Sequence, residues 1–274
     1  MTIKDTIRKY TNELKLVTHI PAKEVEILML HLLEKNTIWL HLNYNVEFEK
    51  EKELAVLVKK RATNYPLEYI INKASFYGEM FIVKEGVLIP RPETEILVEN
   101  AIEILKDKKE IKVLEIGTGS GIISVMLAML IENIKIIAVD INEKALDLAK
   151  QNAIKHGVEN KIEFRLSNLY ENVQENDIFM TISNPPYIAN NYILPTNVKY
   201  EPSNALFGGV VGDELLKDII KATSEKKIPY LLCEMGYDQK APLENYFKEF
   251  NVESYSFYKD YESFDRGFTL KFKN

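Results

Sequence analysis

Residues 113–124 read VLEIGTGSGIIS, and the fold turns on this stretch. The apolar run ending at Ile116 predicts a strand over 111–116, and the run beginning at Gly121 predicts a helix over 121–132. Working outward, the same alternation recurs. A helix is expected over 93–106 on the N-terminal side. On the C-terminal side the pattern gives a strand at 135–140, a helix at 142–156, and strands at 161–166 and 178–183. After an irregular stretch to Gly212 come a helix at 213–224, a strand at 230–234 and a helix at 239–250. Strands alternating with helices imply a parallel sheet covered on both faces. Two closing strands, 252–258 and 267–272, have no helix between them and predict an antiparallel hairpin at one edge. The fold class is therefore α/β.

The first 65 residues read differently. Ile3, Ile7, Tyr10 and Leu14 form a helical stripe within 2–16, Pro21 opens a second helix over 22–33, and a third covers 49–63. The second is apolar nearly all round, as expected at the centre of a small bundle. Pro66 is read as ending this region. Next, SFYGEMFIVKEGVLIP (75–90) mixes aromatic and β-branched residues with Gly78-Glu79 and Glu85-Gly86, the pattern of a short β-hairpin. Pro90-Arg91-Pro92 then makes a stiff connector. These shifts divide the chain into 1–67, 68–92 and 93–274.

Composition narrows the classes. The 274 residues carry 35 Lys+Arg against 41 Asp+Glu, a net charge of −6, with 46% hydrophobic and 28% charged residues. That is enough apolar material for sizeable cores and too much for a disordered chain. The single cysteine, Cys233, excludes an internal disulfide and a multi-cysteine metal site. His19, His31, His41 and His156 show no metal-ligand spacing. The longest mostly apolar run, 121–131, is about half of the roughly 20 residues that a membrane span needs, and the charged N-terminus MTIKDTIRKY does not resemble a signal peptide. A soluble, cytoplasmic protein is expected. Its acidic balance argues against nonspecific contact with a nucleic-acid backbone.

Glycines at 117, 119 and 121 stand between the strand and the helix, spaced G-x-G-x-G, and Ile122 breaks the dinucleotide fingerprint G-x-G-x-x-G. Such a loop suits a ligand without phosphates that backbone can approach closely. S-adenosylmethionine is one: loop N–H groups can take its carboxylate, and an acid such as Glu115 suits its ammonium. Asp140, ending the next strand, can accept from both ribose hydroxyls. Asn168 and Leu169, after the third strand, are candidates to pair with adenine and to cover its ring. Thr118 and Ser120 complete the loop.

The strand at 178–183 runs into Asn184-Pro185-Pro186-Tyr187. An asparagine before proline is held extended, and prolines donate no backbone hydrogen bonds. The motif offers the Asn184 amide oxygen, the Pro185 carbonyl and the Tyr187 ring. Two acceptors and an aromatic face suit a planar –NH2 group, a poor nucleophile that must be oriented towards an activated methyl. Positioning then does most of the work, without a metal or a strong base. Adenine N6, cytosine N4, guanine N2 and a glutamine amide all meet this geometry.

With these motifs in place, the chain resembles the peptide chain release factor N5-glutamine methyltransferases, the HemK/PrmC family. The resemblance runs through PAKEVEILMLHLL (21–33), Arg61, Pro66 and Tyr69, FYGEMFIV (76–83), LIPRPETE (88–95), GTGSG (117–121), Asp140, NPPY (184–187), YEPSNAL (200–206), CEMGYDQ (233–239) and DYESFDRG (260–267). Asn168 departs from an acid common in the family, and Asn72 from a glycine. The resemblance implies a Rossmann-like, seven-stranded class I methyltransferase sheet with a small N-terminal helical bundle joined by a β-hairpin. It implies transfer of a methyl from S-adenosyl-L-methionine to the side-chain amide nitrogen of the glutamine in the GGQ loop of class 1 release factors, modulating translation termination. Residues 1–67 would recognise the factor, and the protein would act as a monomer with no membrane or nucleic-acid partner. By the same resemblance, Gly117, Thr118, Gly119, Ser120, Gly121 and Asp140 hold the cofactor, while Asn184, Pro185, Pro186 and Tyr187 grip the substrate and catalyse; Asn168, Leu169 and Asn184 are further cofactor candidates from the reading of the residues themselves. Arg91, Glu93, Glu95 and Glu201 are further candidates, each also readable as a boundary ion-pair residue.

Two rivals share these features. A DNA or RNA amino-methyltransferase would use the same NPPY, but calls for a basic groove or a target-reading domain; Lys59, Lys60 and Arg61 are the one basic cluster noted, readable as a solvated helix face. A binding module would keep the fold without transfer. Cys233 is expected to be a small core residue, His31 a satisfied core histidine, and Trp39 a packing or partner-surface residue.

Overall fold

The computed structural model describes residues 1–273. Two compact units emerge: Met1–Lys73 together with Leu194–Tyr200, and Ala74–Ile193 together with Glu201–Asn274, whose last residue lies outside the described residues.

The first unit is helical: α1 (Ile3–Leu14), α2 (Pro21–Leu33), α3 (Thr37–Leu42), α4 (Glu51–Ala62) and α5 (Leu67–Ile71). Thr2 caps α1 by accepting from the Asp5 N–H, and the stripe Ile3, Ile7, Tyr10, Leu14 is buried. On α2 the buried face is Glu24, Val25, Leu28 and Met29. Glu24 takes a two-pronged contact from Arg61 of α4, Nε at 2.6 Å and Nη2 at 3.1 Å, and both side chains are buried. The cluster Lys59-Lys60-Arg61 is thus not a uniform solvated face, since Arg61 is neutralised inside the unit.

Two helices here were not anticipated. Asn36 caps α3 by accepting from the Trp39 N–H. Pro66, read as closing the helical region, instead opens α5, because the missing proline N–H costs nothing at a helix start. The unit accordingly runs beyond residue 67 and includes 194–200, where the Tyr200 hydroxyl donates to the Thr63 carbonyl at 3.0 Å and the Tyr200 ring meets Tyr65 edge-on.

In the second unit, β1 (Lys73–Phe76) and β2 (Glu79–Ile82) pair across a turn at Tyr77-Gly78. Only the first half of the expected hairpin segment forms strands; residues 83–90 are irregular. Then follow α6 (Thr94–Leu105), β3 (Ile111–Ile116), α7 (Ile122–Leu130), β4 (Ile134–Asp140), α8 (Glu143–Lys155), β5 (Ile162–Leu166), β6 (Met180–Ser183), β7 (Ile188–Ala189), β8 (Phe207–Gly209), α9 (Glu214–Glu225), β9 (Tyr230–Glu234), α10 (Lys240–Phe247), β10 (Val252–Lys259) and β11 (Asp265–Phe272). Seven strands form one sheet in the order β10-β11-β9-β6-β3-β4-β5. The pairs among β9, β6, β3, β4 and β5 are parallel, and β11 runs antiparallel to both β9 and β10. The alternation and the antiparallel closing pair are as the sequence predicts. The stretch read as irregular up to Gly212 holds the short parallel pair β7–β8, with Ile188 opposite Phe207.

Successive side chains of β3 serve opposite faces, as a strand's geometry requires. Val113 joins a core with Phe76, Phe81, Leu97 and Met126, while Leu114 and Ile116 join another with Ile219, Ile220, Leu243 and Phe268. From β3 the chain steps out to β4 and β5, then returns to β6 on the other side of β3. The strand order reverses between β3 and β6, with Ile116 beside Ser183. Open parallel sheets bind ligands at such a reversal, beyond the carboxyl ends of the strands.

Candidate active site

The loops leaving β3 and β6 line one cleft enclosing about 1050 Å³ of free space, part of it open to solvent. Its wall takes in Glu115–Ser120, Asp140, Ser167–Leu169 and Ser183–Pro186, together with residues 86–91, Thr94, Pro202, Asn204 and Ala205.

The glycine loop is built for close approach. Gly117, Gly119 and Gly121 have φ of +72°, +56° and +81°. A Cβ at Gly117 or Gly119 would meet nothing within 4 Å, so the floor of the cleft there is bare backbone. Gly121 differs. A Cβ on it would sit 2.9 Å from the Ala149 Cβ of α8, and Gly121 lies outside the cleft lining. Its place is in the packing of α7 on α8 rather than in the cleft.

Two carboxylates flank this loop. Asp140 accepts from the Gly119 N–H through Oδ2 and from the Asn142 N–H through Oδ1, each at 2.9 Å. The Ile141 N–H also favours the ionised carboxyl, and Asp140 lines the cleft, where a carboxylate can accept from ribose hydroxyls. Glu115 is fully buried. Its Oε2 accepts from Thr118 Oγ1 at 2.8 Å and from both the N–H and hydroxyl of Ser124, while its Oε1 is buried with no hydrogen-bond partner among the described residues. Burial pushes the Glu115 carboxyl up to about 7, the hydrogen bonds opposing and the Asp140 charge adding to the rise. Burial raises Asp140 as well, against its backbone hydrogen bonds. An orphaned buried acceptor, a bare glycine floor and a carboxylate at the cleft wall fit a cationic, ribose-bearing ligand such as S-adenosylmethionine. Leu169 holds a left-handed φ of +47°, and Asn168 is exposed, its Nδ2 donating to Glu171 Oε1.

On the other wall, Asn184, Pro185 and Pro186 line the cleft, and Tyr187 does not. The Asn184 Nδ2 donates to Thr94 Oγ1 at 2.9 Å, and Thr94 Oγ1 donates to Glu234 Oε2 at 2.7 Å. The Tyr187 hydroxyl donates to Glu234 Oε1 at 2.9 Å, and Gln239 Nε2 donates to the Tyr187 carbonyl. Burial raises the Glu234 carboxyl, while Thr94, Tyr187 and the Arg266 charge favour its ionised form. Burial and the Glu234 charge push the Tyr187 phenol well above its usual range. Arg91, Glu93, Glu95 and Glu201 divide. Glu201 accepts from Arg91 Nη2 at 2.5 Å and from the Ile89 N–H at 3.0 Å, joining two stretches of the cleft wall. Glu95 instead accepts from the Tyr77 N–H.

Residues 5–71 match the PrmC N-terminal domain family, and residues 93–198 match the Methyltransferase small domain family. A release factor glutamine methyltransferase of Aquifex aeolicus is 34% identical over 96% of this chain and 93% of its own length. One from Fusobacterium nucleatum is 36% identical over 90% of this chain and 72% of its own. The chain belongs to the release factor glutamine methyltransferase family. Among solved structures, the catalytic domain of human Mettl16 in complex with an RNA hairpin shares the fold, with a TM-score of 0.59, 16% identity, and coverage of 81% of this chain and 82% of that one. The N-terminal domain of human METTL16 in complex with SAH gives a TM-score of 0.52 at 18% identity, covering 90% of this chain and 94% of that one.

For a release factor glutamine methyltransferase, the sequence pointed to most of this cleft and missed what braces it. Thr94, Glu234 and Gln239 carry no motif logic of their own. They stood inside LIPRPETE and CEMGYDQ, and that is the one signal that could have found them. Cys233 is buried in β9, as expected for a core residue. His31 is only half-buried and lines a surface groove with Trp39, so it is not a core residue. Among the described residues, no group of three or more His, Cys, Asp or Glu side chains is placed to hold a metal, and no helix is long and apolar enough to cross a membrane.

Proposed function

We propose that this chain methylates the side-chain amide nitrogen of the glutamine in the Gly-Gly-Gln loop of class 1 release factors, using S-adenosylmethionine. The observation that carries the reading is the convergence, at one strand-order reversal, of a bare glycine floor with the Asn184-Pro185 acceptors, in a chain of this family. When bound, the cofactor supplies a methyl already activated on sulfur. Asp140 accepts from its ribose, Glu115 answers its ammonium, and the backbone at 117–120 takes its carboxylate. Asn168 and Leu169 meet the adenine. Asn184 and Pro185 each accept one N–H of the substrate amide, so the nitrogen's lone pair is aimed rather than averaged over conjugation. Orientation of this kind can supply several kcal/mol of barrier reduction. Tyr187 packs behind this pair with its hydroxyl on Glu234.

The helical unit, Met1–Lys73 with Leu194–Tyr200, serves as the recognition domain, the β1–β2 hairpin and residues 83–92 as the linker, and the rest of the chain as the transfer domain. The protein works in the cytoplasm as a monomer. Nucleic acid is not its acceptor: Arg61, the third member of the basic cluster, is taken up by Glu24. The test is transfer of labelled methyl to an unmodified release factor, to the same factor with its glutamine replaced, and to unmethylated DNA and ribosomal RNA. Label on the intact factor alone supports the reading; label on nucleic acid alone refutes it.

A further inference from the structure

Behind Asn184 lies a directional hydrogen-bond chain that ends on a buried carboxylate. Thr94 and Glu234 are 0% and 1% exposed. Donor and acceptor counting sets the direction. A carboxylate only accepts, and a threonine hydroxyl has one proton. Thr94 gives that proton to Glu234, so it can only accept from Asn184. The Asn184 amide must therefore turn its NH2 inward, which leaves its oxygen for the cleft. The same carboxylate receives the Tyr187 hydroxyl on its other oxygen.

We propose that Glu234, acting through Thr94, is a positioning residue that fixes which end of the Asn184 amide faces the acceptor amine. This rests on the methyl-transfer reading above, and extends it to Glu234, a buried carboxylate outside the cleft lining. Reversing the chain reverses the amide. A glutamine at 234 can donate to Thr94, whose proton then goes to the Asn184 oxygen; the Asn184 NH2 would face the cleft and meet an NH2 group that is itself a donor.

The test uses T94V, T94S and E234Q in the full chain, with transfer measured on whichever acceptor the wild-type protein labels. The acceptor assignment can thus fail while the relay stands. T94V removes the hydroxyl at near-constant volume, and T94S keeps it. Mispresenting one positioned hydrogen-bonding group costs about ten- to a hundredfold in turnover. T94V and E234Q should lose about that much kcat, with S-adenosylmethionine affinity within about twofold of wild type, while T94S stays within about threefold. Amide proton exchange at the Asn184 side chain, followed by NMR, reads the relay without any acceptor: the Nδ2 protons should be protected in wild type and T94S, and unprotected in T94V. Equal losses in T94S and T94V, near-normal turnover in T94V, or equal exchange in wild type and T94V would each overturn the proposal. A purely structural role would lower cofactor affinity and thermal stability in step with turnover.

Discussion

The loops after β3 and β6 emerge side by side, yet they are held in opposite ways. The glycine loop is fixed by near neighbours. Its own left-handed residues shape it, and Glu115 and Asp140, at the ends of adjacent strands, tie down Thr118, Ser124 and Gly119. The NPPY loop is fixed from a distance: Asn184 by Thr94, 90 residues away, the Tyr187 hydroxyl by Glu234, 47 away, and the Tyr187 carbonyl by Gln239, 52 away. One wall is bare backbone; on the proposed reading, the other is side-chain and carbonyl acceptors that aim a substrate. Cofactor binding and turnover should therefore separate under mutation.

The largest expected separation is at Asn184. Asn184→Ala should lower transfer by about a hundred- to a thousandfold, the cost of deleting one aimed polar group in an active site, while calorimetry shows S-adenosylmethionine binding little changed. Loss of both together would break the distinction between the two walls. Asp140→Ala should do the reverse, weakening cofactor affinity by roughly ten- to a hundredfold, the worth of charged hydrogen bonds at about 1.5–3 kcal/mol. Unchanged affinity would remove Asp140 from the cofactor site.

Glu115 sharpens the comparison through pH. Its folded value of about 7 lies above the usual 4.5. Between those values the folded chain binds more protons than the unfolded one, so this group's contribution to stability is fully present at low pH and is lost as pH rises through about 7. Glu115→Gln does not titrate. Its stability relative to wild type should climb between about pH 5 and 7 and level off near pH 8, a rise of roughly 3 kcal/mol over its low-pH value, measured by denaturant unfolding without cofactor. A flat difference across that range would contradict the assignment. The smallest effects are expected within the loop. Gly119→Ala costs about 1–2 kcal/mol for a left-handed alanine, whereas Gly121→Ala adds a collision with Ala149 and should lower the melting temperature further. Equal melting temperatures would mean that Gly121 is not a packing position.

The same contrast explains how much the sequence disclosed. G-x-G-x-G between a strand and a helix is a local pattern, so the loop was readable from 113–124, although Asp140, which ties down Gly119, lies 21 residues on. The parallel sheet and its antiparallel closing pair followed from strand–helix alternation, whereas the strand order did not. Asn184 to Tyr187 could be recognised as acceptors and an aromatic face, but Glu234, Thr94 and Gln239 could not be linked to them, since only the folded sheet brings β9 and the start of α6 behind that loop. Spacing alone did not show that Gly121 also packs closely against Ala149 of α8. The short elements α3, α5, β7 and β8, two to six residues each, fell below the length at which periodicity is informative. Pro66 misled because proline ends one helix and starts another with equal ease.

The central claim is that the two walls together deliver a methyl to one amide nitrogen. Its most direct test is fragment mass spectrometry of an unmodified class 1 release factor after incubation with this protein and S-adenosylmethionine. A single added methyl on the glutamine side chain of the Gly-Gly-Gln loop, absent when Asn184→Ala replaces the wild-type protein, is the predicted result. A methyl on any other residue of the factor, or one that Asn184→Ala still installs at the wild-type rate, would contradict the account.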